Sequence, residues 1–152
     1  VYMDEANYEP LLVSSYRAIR EVFGNVTIVI KPHPRESTSK IFRLIEMVGM
    51  ENVKISNEHA AVLSRNALAG ITFWGSVILD SLSVNTPAVE YYIEAEHFRD
   101  SETNGSTYRL LGIASTDDFA QLKKHLQTIS DGNYLSPSFL NRLPRSLMNN
   151  FR

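Results

Sequence analysis

Short apolar runs alternate along this chain with segments of helical period, and that alternation is what most restricts its fold. "VTIVI" (26–30) is β-branched and apolar throughout, the pattern of a strand buried on both faces. "VKI" (53–55), "AGITFW" (69–74) and "PAVEYY" (87–92) read as further strands, and "YRLLGI" (108–113) as a last short one. Residues 5–22 fit an amphipathic helix carrying Leu11, Leu12, Ile19 and Val22, stopped by Gly24-Asn25. "SKIFRLIEMVGM" (39–50) sets Ile41, Leu44, Ile45 and Val48 on one stripe, with Gly49 placed to end the helix.

The remaining helices are marked by their ends. One over Glu58–Arg65 has Ser56 or Asn57 as a candidate cap. Another opens at Gly75-Ser76 and runs to Ser83. Ser115-Thr116-Asp117-Asp118 puts a hydroxyl cap and first-turn acids before a helix that runs to Ser130 and stops at Asp131-Gly132. Pro137 begins a final helix, and Ile93–Thr107 is polar and loop-like, with Asn104-Gly105 a turn. Strands alternating with helices of about ten residues imply βαβ crossovers and a parallel sheet. The expected class is α/β, a Rossmann-like, doubly wound sheet.

With 152 residues and no repeat or low-complexity linker, the chain reads as a single domain spanning 1–152. Its start, "VYMDEANYEP", has neither a basic nor an apolar leader region, and Met3 is internal, so it reads as a piece excised from a longer protein. A formal net charge of −2 gives no global attraction for nucleic acid, so any anion site must be a local cluster of positive groups. The absence of cysteine excludes disulfides, thiolate zinc sites and cysteine nucleophiles, and fits a reducing, cytoplasmic setting. No apolar run approaches the roughly 20 residues needed to cross a bilayer. Peripheral association of the parent protein with the inner face of a membrane stays open.

Ligands of open parallel sheets bind at the carboxyl ends of the strands. That rule singles out residues 31–36, 74–80 and 90–98. In "IVIKPHPRES" (28–37), Lys31 and His33 both precede prolines, which pushes them towards extended backbone. Alternate residues of an extended segment share a side, so Lys31, His33 and Arg35 would form one rigid basic edge suited to a phosphate or carboxylate. The plainer alternative is a proline-stiffened turn with solvated charges.

In "ITFWGSVILD" (71–80), a strand ends in Gly-Ser at a helix start, where unpaired backbone N–H groups face the ligand side. Gly75 would let a phosphate approach, Ser76 would add a hydroxyl donor, and Asp80, one turn along, could accept from a sugar diol. The alternative is an ordinary Gly-Ser cap with a solvated acid. In "VEYYIEAEHF" (89–98), Glu90, Glu94, Glu96 and His97 match no metal-ligand spacing, and no metal or other cofactor is expected. Tyr91 or Tyr92 could stack on a base, although core packing is the commoner fate. Asp117-Asp118 fits helix-dipole pairing better than catalysis. There is no GxGxxG, GxxxxGK[ST] or GxSxG, which removes the dinucleotide fingerprint, the P-loop and the nucleophile elbow.

These residues, in this order, resemble the C-terminal, nucleotide-binding half of a GT-B-type glycosyltransferase, closest to the CDP-glycerol glycerophosphotransferase and capsule polysaccharide transferase group. Lys31-Pro32-His33-Pro34 matches that group's basic-x-His-Pro motif after a strand. Thr72-Phe73-Trp74-Gly75-Ser76 and Asp80 match its second motif, and Pro87 falls at the group's spacing. The resemblance covers roughly residues 10–130. It implies that His33 contacts a donor phosphate, with Lys31 and Arg35 beside it as leaving-group stabilisers. It further implies that Thr72, Gly75 and Ser76 form the second phosphate element and that Asp80 binds the ribose. The donor would be a nucleotide-activated sugar or glycerol used in bacterial surface polysaccharide synthesis. The acceptor and the catalytic base would come from a missing N-terminal domain, so this piece would bind donor without turning over. Such enzymes generally work without a metal.

Phe73 stands where the group has Asp, and Gly75 where it has the first of two serines. Those departures keep open a non-catalytic module that retains the fold. A nucleotide-sugar 2-epimerase-like half-domain, which shares the architecture and a Gly-Ser helix start, is the other alternative.

Overall fold

Helix and strand alternate along the chain as the apolar pattern requires. The structure, a computed structural model, describes residues 5–73, 75–92 and 106–138. In chain order the elements are α1 (Glu5–Phe23), β1 (Ile28–Ile30), α2 (Thr38–Val48), β2 (Val53–Ile55), α3 (Ala60–Ser64), β3 (Gly70–Thr72), α4 (Val77–Ser83), β4 (Ala88–Tyr91), α5 (Thr107–Leu110), β5 (Ala114–Thr116) and α6 (Phe119–Ser130). Every strand pairing is parallel, with β1 beside β2 and the order β3–β4–β5 in a second sheet. The chain is therefore α/β with parallel sheets, as its pattern predicts.

The four residues of β4 are all buried, as a two-sided strand requires. Val89 and Tyr91 pack with Leu11 and Ala18 of α1 and with Leu122, Leu126 and Ile129 of α6. Ala88 instead packs with Ile78 and Leu82 of α4 and with Ile113. Alternate residues of one strand point to opposite faces, so helices cover both faces of this sheet. Gly70 of β3 lies on the α4 face, where a Cβ would come within 2.9 Å of Ser81 Oγ. That hydroxyl is paired with Ser64 Oγ of α3 at 2.9 Å, so α3, α4 and β3 close over a small buried polar contact. A third cluster joins Leu12 of α1 to Ile30, Ile41, Leu44 and Met50.

Several local expectations are corrected. β1 is buried on one side only, with Val29 46% exposed, because helix packing reaches it from the Ile28 and Ile30 side. "YRLLGI" (108–113) is not a strand. Its first half is the helical turn α5, after which Gly112 adopts φ +74° and Ile113 N–H returns to Tyr108 O at 3.2 Å. Leu110 and Leu111 are exposed, so their apolar character misled the strand reading.

Ser115 and Thr116 consequently belong to β5, and α6 is capped by Asp118 alone, which accepts from Gln121 N–H at 2.8 Å. α3 is shorter than Glu58–Arg65 and its cap is His59, whose Nδ1 accepts from Ala61 N–H at 3.3 Å. Ser56 instead accepts from Glu58 N–H in the preceding turn. Gly49 does end α2, at φ +68°, and Met50 N–H folds back to Ile45 O at 2.9 Å. The helix expected from Pro137 falls almost wholly beyond the described residues.

Two measurements probe this packing. Leu122 is fully buried between α6 and the sheet, so Leu122→Ala should cost about 2–5 kcal/mol in urea denaturation. His125 on α6 has its pKa lowered by burial first and then by Lys124 and Arg109. The unfolded chain then takes up more protons as pH falls past about 6.5, so this residue's contribution is complete above that pH and is lost below it. Denaturation midpoints taken between pH 7.5 and 5.5 should fall with pH, and His125→Gln should flatten part of that slope.

Candidate functional site

The chain leaving β1 does not stay extended. Pro32 is buried and Lys31 half-buried, whereas His33, Pro34 and Arg35 are exposed. Residues 33–36 form a turn closed by Glu36 N–H to His33 O at 2.8 Å. The Glu36 carboxylate accepts from His33 N–H at 2.8 Å, and His33 Nδ1 accepts from Arg35 N–H at 3.2 Å. Pro34 suits the second position of such a turn, and these local bonds outcompete the extended form.

The single basic edge of Lys31, His33 and Arg35 is thus corrected. The turn through Pro34 and Arg35 replaces the extended backbone on which that alignment rests. In the neutral imidazole the proton then lies on Nε2, since Nδ1 is an acceptor. His33 presents an N–H donor at the exposed tip of a strand end.

At the end of β3 the backbone turns through Gly75 at φ +119°, a conformation reserved in practice for glycine. Among the described residues a Cβ there would meet nothing within 4 Å, so the residue is needed for its backbone. Ser76 precedes α4 with helical backbone, and its exposed hydroxyl makes no capping bond. Ser76 still occupies the N-cap position of α4, without a side-chain capping bond. Asp80 is half-buried one turn on, and Ser83 Oγ donates to its backbone carbonyl at 2.8 Å, not to its carboxylate. Thr72 is the last residue of β3 and lies opposite Glu90 in register.

Tyr8 of α1 joins the two segments. Its ring meets Phe73 edge-on, with centroids 5.7 Å apart and planes at 77°. Its hydroxyl pKa is pushed well up, by burial first and then by the negative charge of Glu36. One side chain is therefore in contact with the start of the Gly75 turn and within electrostatic reach of the His33 turn. Phe73 packs against both of the clusters that α1 bridges, so it is a core residue.

The third strand end holds a buried carboxylate. Glu90 is 1% exposed; its Oε2 accepts from Ser115 Oγ at 2.7 Å and from Ser106 Oγ. Its Oε1 has no hydrogen-bond partner among the described residues. Such a buried, unserved acceptor costs about 1–3 kcal/mol. Tyr108 lies nearby, its pKa raised by burial and then by the Glu90 charge. Glu94, Glu96 and His97 lie outside the described residues. Among those described, no three His, Cys, Asp or Glu side chains gather as metal ligands. Tyr91 belongs to the core, which takes it out of consideration as a base-stacking residue.

Sequence reasoning missed Tyr8, Glu36, Ser106 and Ser115. The three-residue spacing of His33 and Glu36 across a proline turn was the available signal for one of them. Ser115 was hidden by the strand misplaced over 108–113. A surface groove of about 410 Å³ between α1 and α2, floored by Val13, Leu44, Met47 and Val48, includes none of the predicted residues. No helix among the described residues is long and apolar enough to cross a membrane. Comparisons with protein-family models, with curated proteins and with solved structures give no match for this chain.

Gly75 offers a direct check on this geometry. Gly75→Ala should lower stability by about 1–3 kcal/mol through backbone strain, with no clash against the described residues. Thermal or urea unfolding of the variant measures it.

Proposed function

We propose that this chain is the donor-binding domain of a GT-B-type glycosyl- or glycerophosphotransferase, with a Rossmann-like, doubly wound arrangement of its parallel strands. The observation that best supports the reading is Tyr8, whose ring meets Phe73 after β3 while its hydroxyl feels the charge of Glu36 in the turn after β1. His33 Nε2–H donates to a phosphate oxygen of the donor. Lys31 and Arg35 add positive charge against the leaving nucleotide. The Gly75-Ser76 backbone and the Ser76 hydroxyl serve a second phosphate oxygen, and the Asp80 carboxylate accepts from the ribose.

The ligand is a nucleotide-activated sugar or glycerol of bacterial surface or capsule polysaccharide synthesis, handled on the cytoplasmic side. In the two-domain arrangement the acceptor and the catalytic base come from the other half, and this domain binds without turnover. Phe73, where the resembled group has Asp, packs against two core clusters, so this position offers no carboxylate, which is also what a non-catalytic module would show.

Titration calorimetry against CDP, CMP and UDP tests the reading. Binding of at least one is expected, and His33→Ala should weaken it by about 1–3 kcal/mol, the range for a charge-assisted hydrogen bond. No binding of any nucleotide at millimolar concentration overturns it.

A further inference from the structure

Glu90 takes no part in the site as proposed, yet it is the most unusual polar group in the sheet. It sits on the central strand of β3–β4–β5, and its register partners are Thr72 on one side and Ser115 on the other. The three make a transverse row of hydroxyl, carboxylate and hydroxyl. Ala88, two residues earlier on the same strand, packs against α4, so the row lies on the α4 face. Oε2 is occupied by two serine hydroxyls, one from β5 and one from the residue before α5. Those two donors fix the carboxylate's orientation and leave Oε1 as a single acceptor with no donor among the described residues.

The place of this acceptor limits what can reach it. From Thr72 the chain needs three residues to arrive at Gly75, a span of at most about 11 Å. The neighbouring strand adds about 5 Å. Gly75 therefore lies no more than about 16 Å from Glu90 along this path.

The chemistry limits it further. A buried carboxylate repels phosphate, so the nucleotide's own anionic groups are excluded. A divalent cation would find a single carboxylate whose other oxygen is taken by hydroxyl donors. An O–H donor fits, as the two serines already demonstrate on Oε2.

We infer that Glu90 Oε1 accepts a hydrogen bond from a hydroxyl of the sugar or polyol that the nucleotide carries. The inference rests on the donor-binding reading above. Glu90 is then a specificity residue for the transferred group, while the His33 and Gly75-Ser76 segments hold the nucleotide.

The experiment compares a bare nucleoside diphosphate with its activated form, CDP with CDP-glycerol and UDP with a UDP-hexose, on wild type and Glu90→Gln. Glutamine keeps an oxygen for the two serines but puts an amide N–H₂ donor in place of Oε1, so the polarity of that position is reversed. Wild type should bind one activated donor about tenfold tighter than the bare nucleotide, the worth of one well-placed buried hydrogen bond. Glu90→Gln should erase that preference and leave the bare nucleotide's affinity in place.

A wild-type protein that binds nucleotide with no preference for any activated form overturns the inference and leaves nucleotide binding standing. So does a preference that survives in the variant, or a parallel weakening of both ligands. Wild type that binds none of the ligands removes the donor-binding reading and this inference together. Should the variant fail to fold, the wild-type preference alone still decides against the inference when it is absent.

Discussion

The placing of the two turns that follow β1 and β3 depends on apolar contact across α1. The two sheets have separate parallel ladders, one of β1 and β2 and one of β3, β4 and β5. α1 supplies the shared wall, because the adjacent residues Leu11 and Leu12 enter different clusters. Phe73 packs against both clusters, and Tyr8 closes on it edge-to-face. The relative position of the His33 turn and the Gly75 turn is thus set by ring packing and helix docking. Burial of this kind is roughly proportional to area and has no direction of its own. The edge-on aromatic pair supplies the direction.

Much of the fold was legible in the sequence, and the reasons differ by element. α1 and α2 were long enough for their period to show, and Gly24 and Gly49 marked their ends by conformational need. β4 was legible because both of its faces are buried. The errors cluster where side chains compete for roles. His59 caps α3 although Ser56 and Asn57 looked better suited, since an imidazole acceptor does the same work from the right position. Leu110 and Leu111 are apolar yet exposed, and they drew a strand to residues that make a helical turn. Isolated apolar residues on a surface are ordinary, and a short pattern cannot discount them.

The candidate site shows the same division. The Gly75 turn and the positions of Ser76 and Asp80 followed from the strand-to-helix reading. The His33 segment did not, because two prolines make stiff extended backbone only when nothing nearby offers the chain better hydrogen bonds. Glu36 offers them, and it adds an acid to a basic stretch. The buried state of Glu90 was unreadable for another reason. Its two serine partners come from 106 and 115, far along the chain and brought beside β4 only by the parallel crossover.

Arg20 shows what happens at the other end of the sheets. From the last turn of α1 its guanidinium donates to the carbonyls of Gly24 and Val26 at 3.0 and 2.6 Å, and to that of Glu51, while stacking on Tyr16 at 5.0 Å. These carbonyls lie just ahead of β1 and β2, so one side chain pins the roots of both strands. The tips, where His33 and Glu36 make their turn, are left to local bonds of their own. A lineage carrying this fold could rewrite residues 31–36 one at a time, with the rooted end preserving the scaffold throughout.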